Sequence, residues 1–233
     1  MANPDYCLHC QKVLDTPTSF SDLFLLRQLK KELLCDECFR LFKPINYSSA
    51  CSGCSKPDHD PGTLCEDCEH WRTVYPGFET KNLSLFEYST FAKAWMIRFK
   101  MMGDIRCGMV FNKTLEKIIK TEFRDYILMP IPSSKKSLSQ RGFNQIQVIL
   151  DSTKLTYKKL LTNHSYSMNQ SKKNRSERMK SSQPFELKNR RNIVNKKLLI
   201  IDDVYTTGRT VFHAKELLYQ NGAQKVDSLT VFR

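Results

Sequence analysis

Residues 198–210, LLIIDDVYTTGRT, constrain the fold of this chain more than any other segment. Four consecutive aliphatic residues are typical of a strand that is buried on both faces of a parallel sheet. The following TTGRT turns into a helix, which we predict over roughly residues 209–221 and which Asn221 and Gly222 close. This strand, loop and helix predict an α/β fold.

Two acids, Asp202 and Asp203, stand at the end of this strand, where open parallel sheets bind their ligands. Adjacent carboxylates repel each other and are costly to desolvate unless a ligand uses them, and the vicinal hydroxyls of a ribose are suitable donors. The alternative is a plain turn in which acids and threonines serve only as caps. A helix start also binds phosphate through its N–H groups, and here the candidate phosphate residues are Thr206, Thr207, Gly208, Arg209 and Thr210.

The rest of residues 76–233 supplies further predicted elements. LSLFEYST predicts a strand of a β-hairpin, and FAKAWMIRFKMMGD predicts an amphipathic helix that ends near Gly103. Its core-facing positions are Phe91, Trp95, Phe99 and Met102. Residues 109–124 predict another helix, and YILMPIP predicts a buried strand. A polar basic loop, SSKKSLSQRGFNQ, and a helix through Leu150 should follow, and DSLTVFR predicts the last strand.

Eight of the nine cysteines form four Cys-x-x-Cys pairs near the start of the chain. Such a pair presents two thiolates to one ion, and two pairs complete the tetrahedral shell of structural Zn²⁺. We predict two zinc ribbons in a module of residues 1–75; crossed pairing and an iron–sulfur cluster remain alternatives. The ninth, Cys107, is predicted to be a buried small residue. The predicted ligands are Cys7, Cys10, Cys35, Cys38, Cys51, Cys54, Cys65 and Cys68.

The charge is distributed unevenly along the sequence. Residues 1–80 carry a net charge of −4, and residues 81–233 carry +17. The positive part favours phosphate-rich partners, although a solvated basic face is the alternative. The start MANPDYC lacks a secretory pattern, and no apolar run approaches the roughly 20 residues of a membrane span, so we expect a cytoplasmic protein.

Two resemblances follow from these residues. LLIIDDVYTTGRT is similar to the thirteen-residue signature of type I phosphoribosyltransferases, which implies a domain of that fold over residues 76–233. The chain as a whole resembles the ComF/ComFC family of competence proteins. The motifs that carry this second resemblance are the signature, the four cysteine pairs, the FK…GD segment, the MPIP…RGFNQ stretch and the NRSER segment.

The resemblance implies roles for individual residues. Asp202 and Asp203 would hold the ribose hydroxyls of phosphoribosyl pyrophosphate (PRPP), whose 5′-phosphate would lie in the threonine-rich loop, with Mg²⁺ on its pyrophosphate. Residues 170–185 would match a flexible loop that closes over the ligand. In that loop the family often has an asparagine three places after an arginine, whereas here Ser181 stands three places after Arg178. The stretch after the MPIP strand matches the pyrophosphate loop, with Arg141, Gly142 and Asn144.

Three functions stay open at this point. The first is a DNA-uptake protein that binds incoming single-stranded DNA beside a ComFA-like helicase/ATPase, with backbone contacts from Lys172, Lys173, Arg175 and Arg178. The second is an active phosphoribosyltransferase of nucleotide salvage, although residues 81–106 show no base-binding hood. The third is an adaptor whose acidic zinc module docks on the ATPase.

Overall fold

The computed structural model describes residues 5–14, 32–164 and 183–233. Its centre is a four-stranded parallel sheet, and a second, two-stranded antiparallel sheet packs in the same core as one face of it. The strands are β1 (Asn82–Phe86), β2 (Ile127–Pro130), β3 (Leu161–Asn163), β4 (Phe185–Leu187), β5 (Lys197–Val204) and β6 (Lys225–Phe232). The parallel sheet has the order β1-β6-β5-β2, and β3 pairs with β4.

Helices flank the parallel sheet, which confirms the predicted α/β class. They are α1 (Asp36–Phe39), α2 (Glu66–Val74), α3 (Thr90–Met101), α4 (Arg106–Met109), α5 (Asn112–Glu122), α6 (Lys135–Arg141), α7 (Gln145–Asp151) and α8 (Arg209–Gln220). Short 3₁₀ turns cover Tyr47–Ser49 and Arg190–Asn192. Within the described residues, no helix combines the length and apolar character that crossing a bilayer requires.

Strand β5 is buried on both faces, as its aliphatic run predicts. Successive side chains of a strand point to opposite faces. Leu199 and Ile201 accordingly belong to one hydrophobic core, which includes Phe99 of α3. Leu198 and Ile200 belong to the other, which is formed with α8. The strand therefore anchors both layers and fixes the position of the loop that follows it.

The cysteine segment packs on both faces and on one edge of this sheet. Cys7 and Cys38 belong to the core that contains Phe99, whereas the four cysteines from 51 to 68 belong to the core beside α8. The backbone N–H of Ile45 donates to the carbonyl of Leu85 at 3.1 Å. This contact covers the edge of β1 and protects it from pairing with another chain.

Three local predictions were wrong. β1 is not part of a hairpin, because it pairs in parallel with β6, with Asn82 opposite Ser228. Met102 is 75% exposed, because α3 ends one residue earlier and the apolar stripe stops with it. The polar basic stretch after β2 contains helix α6, whose N-terminus is capped by the Ser134 hydroxyl. This helix buries no residue, so it has no apolar stripe from which it could be predicted.

Candidate functional site

A cavity of about 680 Å³ opens at the carboxyl ends of β2 and β5. These neighbouring strands run in parallel, so the loops that follow them meet at one edge of the sheet. The first loop brings Arg141 and Asn144 to the cavity. The second brings most of the residues predicted from the signature: Asp202, Asp203, Thr206, Thr207, Arg209 and Thr210. The structure therefore brings the two predicted loops together, and their roles in binding stay predictions.

The two acids at the end of β5 have different surroundings. Oδ2 of Asp203 lies 2.5 Å from Nζ of Lys100, which reaches the cavity from α3. Asp202 has no such ion pair among the described residues, and its Oδ1 accepts the backbone N–H of Asp203 at 2.9 Å. Removal of water from around Asp202 and the adjacent charge of Asp203 raise the pKa of Asp202 to about 7. Asp203 is thus paired with a lysine, whereas Asp202 lacks such a partner among the described residues and titrates near neutral pH.

The threonine-rich loop turns at Gly208, which caps the start of α8 with a φ of 82°. A side chain is disfavoured at this φ. A Cβ here would also lie 2.1 Å from the hydroxyl of Tyr205, which is buried beneath the loop. Glycine therefore allows the loop to fold back over Tyr205 and to begin a twelve-residue helix at Arg209. The free N–H groups and the positive end of this helix suit an anion.

Asn144 connects the loop after β2 to the end of that strand. Its Nδ2 donates to the carbonyl of Ile131 at 2.8 Å and to Oγ of Ser133 at 3.0 Å, and its Oδ1 caps α7. Gly142 ends α6 with a φ of 78° and lies next to the lining residue Arg141. These contacts give Asn144 a structural role; direct contact with a ligand remains a prediction for it and for Gly142.

The lining residues that the sequence does not identify as ligand residues include Lys100, Gln145 and His213. Lys100 lies in the FK…GD segment, but its ion pair with Asp203 depends on tertiary packing. Gln145 directly follows Asn144; it is 5% exposed, and its Nε2 has no hydrogen-bond partner within the described ranges. His213 lies one helical turn after Arg209, a spacing that signals a shared face of α8.

His213 enters the cavity as a neutral ring at neutral pH. Its Nε2 accepts a hydrogen bond from Nε of Arg209 at 3.1 Å. Burial and the charge of Arg209 lower the pKa of His213 to about 4. Its Nδ1 is buried and finds no partner among the described residues. Gln145 and His213 therefore each line the cavity and carry a buried polar atom that has no hydrogen-bond partner among the described residues.

The cysteines form two groups, each built from two consecutive pairs, which resolves the pairing in favour of two separate centres. The sulfur atoms of each group lie within 4.8 Å of one another. In the first centre, Sγ of Cys10 lies 3.8 Å from Sγ of Cys35; in the second, Cys51 and Cys68 are separated by 3.7 Å. A tetrahedral ion with Zn–S bonds of roughly 2.3 Å requires about 3.8 Å between sulfurs. Both groups therefore fit Zn²⁺.

Cys107 is fully buried, as expected. The predicted nucleic-acid residues Lys172, Lys173, Arg175 and Arg178 lie outside the described residues, as does most of the predicted flexible loop.

This parallel sheet and the loops at its carboxyl edge define a protein of the phosphoribosyltransferase-like class. The family model for the phosphoribosyl transferase domain matches residues 158–233. A hypoxanthine phosphoribosyltransferase from Staphylococcus aureus is 17% identical, with 54% of this chain and 62% of that chain covered. Its TM-score of 0.35 is too low to support a functional conclusion.

Two curated relatives extend over almost the whole chain. The competence protein ComFC of Streptococcus pneumoniae (strain ATCC BAA-255 / R6) is 34% identical over 227 residues, which cover 97% of this chain and 99% of the relative. The competence protein ComFC of Bacillus subtilis (strain 168) is 30% identical, with 97% of this chain and 94% of the relative covered. The chain belongs to the ComFC family of competence proteins.

Proposed function

We propose that this chain acts in the cytoplasm, at the inner face of the DNA-uptake machinery, and binds incoming single-stranded DNA together with a PRPP-like ligand. The observation that carries the proposal is the cavity itself, because it combines the acid pair and the phosphate loop with basic side chains. Four cationic residues line it: Lys100, Lys136, Arg141 and Arg209. A ComFA-like helicase/ATPase is the partner that we propose for this activity.

The proposal assigns separate tasks to the two parts of the chain. Residues 1–75 form the metal-binding module with two structural Zn²⁺ ions, and residues 76–233 form the phosphoribosyltransferase-like domain. Mg²⁺ would enter with the pyrophosphate of the ligand and neutralise part of its charge. Asp202 and Asp203 would accept hydrogen bonds from the ribose hydroxyls, and the N–H groups at the start of α8 would bind the 5′-phosphate.

The DNA-binding part is tested by salt dependence. Contacts with the phosphate backbone release counterions, so the affinity for single-stranded DNA should fall steeply as salt rises. Replacing Lys172, Lys173, Arg175 and Arg178 by alanine should weaken binding and reduce the log–log salt slope by about 3, since each lost contact removes about 0.7. Fluorescence anisotropy with a labelled oligonucleotide measures both quantities.

The matched control removes the same charge from another part of the surface. Lys117, Arg124, Lys196 and Lys197 are exposed and do not line the cavity. Their replacement by alanine lowers the net charge equally, so it should have a much smaller effect. Equal losses for both variants would show a non-specific charge effect, and binding that ignores salt would overturn the DNA-binding proposal.

An active transferase is the second candidate. The buried polar atoms of Gln145 and His213, which lack a partner in the part of the chain that the structure describes, favour it, because a nucleobase is rich in hydrogen-bonding groups. Turnover would release pyrophosphate from PRPP in the presence of a nucleobase. The double substitution Asp202→Asn with Asp203→Asn should abolish that release. A screen of purine and pyrimidine bases with coupled pyrophosphate detection tests this candidate, and no release with any base would exclude it for those acceptors.

The adaptor function is favoured by exposed apolar side chains on the cysteine module, including Tyr6, Val13 and Leu41. Deleting residues 1–75 is not a clean test, because it removes Phe42 from a shared core and Trp71 from its stack on Phe212. The substitution Leu41→Lys changes only the surface. It should reduce capture of the ATPase while single-stranded DNA binding stays unchanged, and unchanged capture by this variant and by Tyr6→Lys would count against an interface here.

A further inference from the structure

The second cysteine centre is connected to the phosphate loop by one buried side chain. Nε and Nη2 of Arg233 each lie 3.2 Å from Sγ of Cys54. Nη1 of the same guanidinium donates to the carbonyl of Thr206 at 2.8 Å. The Arg233 side chain is 9% exposed. A single arginine therefore contacts both a predicted metal ligand and the loop at the candidate ligand site.

A tryptophan makes a second connection between the same two sites. Trp71 lies in α2, which begins after Cys65 and carries Cys68. Its Nε1 donates to the carbonyl of Thr207 at 2.6 Å, and its ring stacks on Phe212 of α8 with centroids 4.7 Å apart. Two consecutive carbonyls of the phosphate loop are thus held by Arg233, which contacts the second centre, and by Trp71, whose helix carries the predicted ligand Cys68.

These hydrogen bonds determine the direction in which the loop presents its donors. In a trans peptide the N–H points away from the carbonyl of the same peptide unit. With the carbonyls of Thr206 and Thr207 turned toward the cysteine centre, the N–H groups of Thr207 and Gly208 are turned the opposite way. Successive backbone N–H groups that point to one side form an anion-binding concavity.

The chemistry of the arginine suits this position. A zinc ion bound by four thiolates carries a net charge of −2, and a guanidinium keeps its charge even when buried. Arg233 is itself held in place by the backbone, since its N–H donates to the carbonyl of Phe86 at 3.0 Å. Loss of the metal would release the two Cys-x-x-Cys pairs of the second centre. The Cys54 thiolate would then no longer orient the guanidinium.

We propose that Arg233 and Trp71 are positioning residues through which metal loading of the second cysteine centre controls the phosphate affinity of the loop. This inference rests on the proposed function, because it requires the loop to bind a ribose phosphate. Coupling between two binding sites is reciprocal, so the ligand must also stabilise the bound metal. The first centre serves as an internal comparison, since its own arginine, Arg98, donates to the carbonyl of Leu8 and pairs with Asp104.

The experiment measures PRPP binding with Mg²⁺ by calorimetry on the full zinc-loaded chain. Arg233→Gln and Trp71→Phe should each weaken binding by about tenfold, because each removes a hydrogen bond that orients the loop. Arg233→Lys should lie between wild type and Arg233→Gln, because lysine keeps the charge but lacks the fork. Arg98→Gln is the control and should bind PRPP as wild type does.

A second measurement uses the unmodified protein and does not depend on how the variants fold. Zinc release to a chromophoric chelator is followed with and without PRPP and Mg²⁺. We expect the ligand to slow the release of one of the two ions by about tenfold, as the reciprocal coupling requires. This inference alone would be overturned if PRPP slowed the release of neither zinc ion. It would also be overturned if zinc-loaded Arg233→Gln and Trp71→Phe bound PRPP with wild-type affinity. Absence of PRPP binding by the wild type would overturn the proposed ligand as well.

Discussion

The ammonium of Lys100 lies 2.5 Å from the carboxylate of Asp203, and this ion pair joins α3 to the carboxyl end of β5. Both side chains are largely buried, with 23% and 13% exposed. The pair offsets the repulsion between Asp203 and Asp202. Helix α3, which carries Lys100, is therefore part of the candidate site, although the signature segment lies about 100 residues further along the chain.

Replacing Lys100 by methionine should lower the free energy of unfolding at pH 8 by about 1–3 kcal/mol, because Asp203 then stays buried without its partner. Urea unfolding followed by circular dichroism measures the change. Lys93→Met, at an exposed position on the same helix, is the matched control. Adding Asp203→Asn to Lys100→Met should recover part of the loss; a further loss in the double variant would show that the pair contributes little.

The raised pKa of Asp202 makes stability depend on pH. The folded pKa of about 7 lies above the ordinary value, so the folded state holds a proton that the unfolded state releases. This contribution to stability is present at low pH and is lost as pH rises through 7. Between pH 6 and 8 the wild type should lose about 1 kcal/mol relative to Asp202→Asn. Urea unfolding across that range tests this, and parallel profiles for the two proteins would contradict it.

Lys215 is fully buried in α8, where its Nζ donates to the carbonyls of Glu79 at 2.8 Å and Lys81 at 3.0 Å. Lys215→Met leaves both carbonyls without this donor, so we expect a loss of about 2–3 kcal/mol in unfolding free energy. Desolvation lowers the pKa of Lys215 to about 8, so the wild type should gain stability as pH rises from 8 toward 10.5. The methionine variant should lack that gain; an equal gain in both proteins would assign it to other groups.

The two cysteine centres predict a metal content of two Zn²⁺ per chain. Native mass spectrometry should show one ion fewer for Cys54→Ala and one fewer for Cys10→Ala. Chelation should lower the melting temperature strongly, because cysteines of both centres lie in the cores on the two faces of the sheet. Iron with visible absorbance, or a single ion shared by all eight cysteines, would contradict the assignment.

Local patterns predict the elements that carry their own signal. β5 could be predicted from its aliphatic run, and α8 from the TTGRT turn before it and the closing Asn221-Gly222. The partner of β1 could not, because strand pairing is decided by distant residues that compete for the same edge. Helix α6 was missed because an exposed helix has no apolar period.

The residues of the candidate site also fall into those that a local pattern predicts and those that only the fold brings in. Asp202, Asp203 and the threonine-rich loop follow from one continuous segment. Lys100 and Arg233 reach the site, or the loop beneath it, from other elements, so only the folded structure brings them there.

The most direct test of the account is calorimetric titration of the zinc-loaded chain with PRPP and Mg²⁺. The wild type should bind one equivalent, and the double variant Asp202→Asn with Asp203→Asn should show at least tenfold weaker binding while it keeps two zinc ions and its fold. Equal binding by both proteins, or no binding by the wild type, would contradict the claim that the acids and the threonine-rich loop form a ribose-phosphate site.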